Sequence, residues 1–136
     1  MKERIYADTN IFIRFFADDM PEQTKISKKI LKGLLEDKYE LYVCNLVFAE
    51  IVYVLESYYK LDKKDILDKM FAILKFKNLV VENKSIIIEA LEIYNDKNID
   101  FTDAYMACHA RKAGCNRLFS FDKDFTKINF LEIMSI

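Results

Sequence analysis

Six carboxylates stand out by what surrounds them: Asp8, Glu50, Asp100, Asp103, Asp122 and Asp124. Asp8 ends a short apolar run, Ile5-Tyr6-Ala7, and is followed by Thr9-Asn10 and a second run, Ile11-Phe12-Ile13. α/β folds build sites from acids at strand ends. Asp8 reads equally well as the cap of the helix that follows. Glu50 lies inside Leu46–Leu55, a helix apolar nearly all round, so its carboxylate is expected to be at least partly buried and in need of a partner or a proton. Asp100 and Asp103 sit three apart where a helix begins. They make either a capping arrangement or a functional Asp103 with Asp100 as its cap. Asp122 and Asp124 follow a strand, in Ser120-Phe121-Asp122-Lys123-Asp124-Phe125, where Asp also suits a polar loop.

Taken together, Asp8, Glu50, Asp103 and Asp122 each fall at a strand end or on the helix leading away from one. Four carboxylates sharing a pocket repel one another, and a divalent cation resolves the repulsion. Hard oxygen donors suit Mg²⁺ or Mn²⁺, which keep several waters. An acidified water beside a cation that stabilises phosphoryl oxygens makes phosphodiester hydrolysis the natural reaction class. Other chemistries fit less well. His109 is the single histidine, which excludes a two-histidine ribonuclease, and Cys108 and Cys115 lack zinc-ligand spacing. There is no glycine-rich phosphate loop and no serine in a nucleophile elbow.

The elements that must position these acids alternate in type. Arg4–Ala7, Glu40–Cys44, Asn78–Val81 and Leu118–Phe121 read as strands, with Ile128–Ile133 as a fifth. Between them lie helices. One opens at Pro21, with Ile26, Ile30, Leu31, Leu34 and Leu35 at helical spacing; another follows Asn45; a third begins at Leu61-Asp62. Asn83 caps a fourth, and Asp100 starts one that Gly114 ends. This order predicts an α/β fold with a central parallel sheet of four to five strands and helices on both faces. If the sheet turns back between the first and fourth strands, Asp8 and Asp122 become neighbours.

At 136 residues and 52% apolar content the chain is expected to be one domain, residues 1–136, with a real core. Two glycines and one proline argue against a turn-rich β-sandwich. A net charge of −1 neither announces nor excludes a nucleic-acid partner. No stretch reaches a membrane span and the charged Met1-Lys2-Glu3-Arg4 start argues against a signal peptide. Three cysteines are expected to be reduced, mostly buried thiols of a cytoplasmic protein.

Ala7-Asp8-Thr9-Asn10, Ala49-Glu50, Thr102-Asp103-Ala104 with Ala107, and Ser120-Phe121-Asp122-Lys123-Asp124-Phe125 together resemble the PIN-domain nucleases, and more narrowly the VapC-type toxins. The resemblance spans essentially the whole chain. It implies a PIN-like three-layer fold and a Mg²⁺- or Mn²⁺-dependent endoribonuclease. Asp8, Glu50, Asp103 and Asp122 would be the catalytic and metal-binding acids, with Asp124 a possible contributor. Thr9, Asn10 and Ser120 would support the site. It further implies a homodimer neutralised by a small antitoxin protein. For RNA, Arg14 with Phe15 and Phe16, and Tyr58-Tyr59-Lys60 with Lys63 and Lys64, offer cations beside aromatics; the other reading makes them core and solvated surface. The competing functions are a non-catalytic RNA- or protein-binding module on the same fold, and a phosphate-handling protein such as a receiver or phosphatase. Asn10 stands where a haloacid-type phosphatase wants its second Asp.

Overall fold

Asp37 ties together the starts of all three strands in the first part of the chain. In this computed structural model, which describes residues 2–135, Lys2 and Lys77 donate to its carboxylate at 3.1 and 2.9 Å, and Asn78 Nδ2 donates at 2.8 Å. Asp37 and Asn78 both adopt left-handed backbone, with φ of 64° and 66°, a conformation that Asp and Asn tolerate. The strands that leave this hub are β1 (Arg4–Tyr6), β2 (Glu40–Val43) and β3 (Leu79–Val81). They form one parallel sheet in the order β1-β2-β3, with Ile5 opposite Leu41 and Leu41 opposite Leu79.

The Asp37 carboxyl is held well below the usual carboxylate range, first by the Asn78 hydrogen bond and then by Lys77 and Lys2. A depressed folded-state value stabilises the fold above the unfolded value and loses that contribution as pH falls. Asp37→Asn is therefore expected to lower the urea midpoint at pH 7. The gap to the unsubstituted protein should close as pH falls below about 4, near the unfolded carboxyl value. A gap that stays constant from neutral to acid pH would show that the ion pairs contribute nothing.

Two double crossovers connect the strands. α1 (Thr9–Phe16) and α2 (Pro21–Leu35) join β1 to β2, and α3 (Asn45–Ser57) and α4 (Lys63–Leu74) join β2 to β3. The strand order never reverses, so right-handed crossovers leave these four helices on one face of the sheet. Leu41 and Val43 face that layer and are 2% and 0% exposed. In α2 the buried face includes Thr24, Ser27, Leu31 and Leu34, while Ile26 and Leu35 of the same apolar pattern are exposed. Thr24 can be buried because its hydroxyl donates to the carbonyls of Arg14 and Ala17. Gly33 allows a close approach: a Cβ there would meet the Tyr39 hydroxyl, which donates to the Ile30 carbonyl.

Caps agree with expectation in part. Asp62 accepts from the Asp65 N–H and starts α4. Asn45 does not cap α3. Cys44 occupies that position without a side-chain cap bond, and Asn45 is buried in the first turn. Asn83 does occupy the cap position of α5 (Lys84–Asp96), but in left-handed backbone and again without a side-chain cap bond.

The chain divides into two compact units, the first ending at Glu82 and the second beginning at Asn83. In the second, α5 packs along α6 (Phe101–Lys112). α6 stops where Gly114 takes φ of +87° and the Cys115 N–H closes on the Ala110 carbonyl at 2.8 Å. β4 (Arg117–Leu118) then pairs in parallel with β5 (Glu132–Ile133), across a single 3-10 turn, Lys123–Lys127.

The α/β class therefore stands, but a central sheet of four to five strands does not form among the described residues. A three-stranded sheet and a separate two-stranded one take its place. β4 stops at Leu118, and the chain beyond it runs into side-chain turns: Ser120 Oγ accepts from the Asp122 N–H and Asp122 accepts from the Asp124 N–H.

Candidate active site

Each unit carries its own acidic group. In the first, the β1 ladder continues to Ala7, whose N–H donates to the Tyr42 carbonyl at 3.0 Å. Asp8 follows in extended backbone, at φ −91° and ψ 175°, and its carboxylate accepts from the Asn10 N–H at 3.1 Å. Asp8 thus caps α1, and it also remains exposed at the strand's carboxyl end. Thr9 Oγ1 donates to Glu50 Oε2 at 2.6 Å, a length typical of a charge-assisted bond. Asp8, Thr9, Asn10 and Glu50 line one open depression of about 310 Å³.

Glu50 is exposed, against the expectation of burial. Leu46, Glu50 and Tyr53 recur at helical spacing and form the outward stripe of α3, with Leu46 75% and Tyr53 67% exposed. Val47, Phe48, Ile51 and Leu55 form its core face. A helix rich in apolar residues all round hides which stripe is outside.

The second unit gathers Asp100, Asp103, Asp122 and Asp124. Asp100 stands at the cap position of α6 but makes no side-chain cap bond. Asp103 lies in the first turn, half-buried. Its carboxyl is pushed up, first by burial, then by the charges of Asp122 and Asp100, a hydrogen bond with Asp122, and the charge of Asp124. Asp122 caps the 3-10 turn. Asp124 pairs with Lys127 at 2.9 Å, so of the two late acids Asp122 is the one bonded to Asp103. Among the described residues no three such side chains already form a metal-ligand set. The donor chemistry nonetheless fits a hard cation: the carboxylates around Asp103 raise its proton affinity, and a divalent ion would neutralise them in place of that proton.

The cations named for RNA are placed differently. Arg14 is engaged internally, its Nη1 donating to Asp19 at 2.9 Å and to the Tyr59 hydroxyl at 3.2 Å. These residues line a cleft of about 610 Å³ with Asn10 and Tyr58. Lys63 and Lys64 open α4, with Lys64 exposed and Lys63 half-buried. Of the thiols, Cys108 is buried, Cys44 half-buried and Cys115 exposed, so burial is less general than expected. Burial and a hydrogen bond with Glu89 push Cys108 up to about 12. No helix among the described residues is long and apolar enough to cross a membrane. Sequence reasoning passed over Phe119 and Phe121, two exposed aromatics on either side of Ser120. Nothing in an aromatic-rich chain separates them from core phenylalanines.

A family model described as the PIN domain matches residues 5–131. The chain is 29% identical over 123 residues to a VapC ribonuclease of Aquifex aeolicus (strain VF5), covering 90% of each. It is 28% identical over 125 residues to Ribonuclease VapC1 of the same organism, covering 90% of this chain and 84% of that one. The crystal structure of Mycobacterium tuberculosis VapC20, a Sarcin-Ricin loop cleaving toxin, aligns over 94% of this chain and 97% of that one, at 17% identity and a TM-score of 0.41.

Proposed function

From the premise that this chain belongs to the PIN domain family, we propose that it is a metal-dependent endoribonuclease, the toxin of a type II toxin–antitoxin pair. The observation that carries the reading is the gathering of acids in the second unit, where burial and the neighbouring Asp122, Asp100 and Asp124 carboxylates push the Asp103 carboxyl up. The ribonuclease names of the relatives support the same activity. One family match spanning residues 5–131 supports treating residues 1–136 as a single nuclease domain.

Asp8, Glu50, Asp103 and Asp122 would hold Mg²⁺ or Mn²⁺. Such an ion supplies an acidified water and stabilises charge on phosphoryl oxygens. The protein's part is positioning. Thr9 fixes one oxygen of Glu50, and the Asn10 N–H fixes one oxygen of Asp8. Ser120 holds the turn that presents Asp122. The partners on this reading are RNA, a small antitoxin protein and a second copy of the chain, in the cytoplasm.

Purified protein is expected to cut single-stranded RNA in Mg²⁺ or Mn²⁺ and to stop when the metal is chelated, followed on a labelled RNA by gel. Cleavage that persists in chelator would exclude the metal. RNA bound equally with and without metal and never cut would mark a non-catalytic binding module instead.

A further inference from the structure

The phenyl ring of Phe121 stands in water immediately before Asp122. It is 108% exposed by the extended-chain standard, and Phe119 is 69% exposed. The same segment buries Phe125 to 3%, so it does not lack for core positions. Single exposed apolar side chains are ordinary, but contiguous apolar surface along a cleft marks interaction sites. Phe119 and Phe121 line an open cleft of about 800 Å³ together with Asp122, Lys123, Ile133 and Met134.

We propose that Phe121, with Phe119 beside it, is a stacking platform for one unpaired base of the RNA, next to the phosphate handled by the acidic site. The proposal rests on the ribonuclease reading above and deepens it. Three features favour a nucleotide as the occupant. The cleft runs directly into Asp122, whose carboxylate is bonded to Asp103, so a phosphate at the acids brings the neighbouring base to the rings. The exposed Lys123 ammonium has no ion pair among the described residues, whereas Lys127 is paired with Asp124; it is available for the same nucleotide's phosphate. A phenyl face accepts any base by stacking but only one that is out of a duplex. Phe121 is thus a substrate-positioning residue that discriminates single strand from duplex, with little preference among bases.

The chain contains no tryptophan, so Phe121→Trp introduces a single indole reporter. In the cleavage-poor Asp8→Asn background with Mg²⁺, the free protein is expected to show the red-shifted emission of a water-exposed indole. A short oligoadenylate should quench it saturably, and an abasic ribose-phosphate strand of equal length should not. With Asp8 restored, Phe121→Ala is expected to raise KM for single-stranded RNA about tenfold with kcat little changed, the effect of one lost base–aromatic stack, and Phe121→Tyr to restore it. Equal quenching by the abasic strand, or unchanged KM in Phe121→Ala, overturns the proposal. So does blue-shifted emission without RNA, which would mean that a second copy or another part of this chain covers the ring. Any of these failures leaves metal-dependent cleavage by the unsubstituted protein intact. Loss of the ribonuclease reading would appear instead as no cleavage at all.

Discussion

Asp8→Asn is expected to reduce RNA cleavage by at least about 100-fold while leaving the fold intact. Outer-sphere partners of metal ligands cost roughly 10- to 100-fold when lost, so a ligand itself should cost no less than the upper end. Asn is as good a helix cap as Asp, and its side-chain oxygen can accept the same Asn10 N–H bond. The substitution therefore removes the charge and keeps the cap. Asp8→Ala removes both, and adds about 1 kcal/mol of lost capping. Comparing the two by cleavage rate and thermal midpoint separates the two roles of this residue. Full activity in Asp8→Asn with loss only in Asp8→Ala would return Asp8 to a helix cap.

Phe48→Ala is expected to lower stability by about 3–5 kcal/mol, a large share of the roughly 5–15 kcal/mol a domain possesses. Phe48 is 0% exposed on α3, the helix that packs against both α1 and α4. Removing its ring leaves a void that neighbours fill only in part. Two positions away on the same helix, Leu46→Ala lies at 75% exposure and should stay within about 0.5 kcal/mol. Urea unfolding followed by circular dichroism measures both. Equal effects at the two positions would mean that the assignment of faces on α3 is wrong.

Legibility in the sequence varied from element to element. The strand that ends at Asp8, the Asp62 cap and the Gly114 stop could each be read because one residue type carries a specific backbone consequence. The outward stripe holding Glu50 could not, because Leu46 and Tyr53 look like core residues until the neighbouring elements are in place. Thr24 and Ser27 could not be read as buried, since their hydroxyls are satisfied by tertiary geometry or simply packed. Strand number could not be read either. Apolar residues after Leu118 promise a longer strand, but the segment leads into turns held by the Ser120 and Asp122 side chains. Asp103 and Asp122 could be read as neighbours. How Asp122 divides from Asp124 could not, because it depends on which one Lys127 reaches.

The Asp37 hub has a practical meaning for anyone handling this molecule. In a parallel sheet every strand begins at one end and finishes at the other, so the hub and the Asp8–Glu50 depression occupy opposite poles of the first unit. Lys2 and Asp8 are six residues apart along an extended segment, roughly 20 Å at the rise of a strand. A substitution that loosens the hub therefore acts on the depression only through the length of the strands between them.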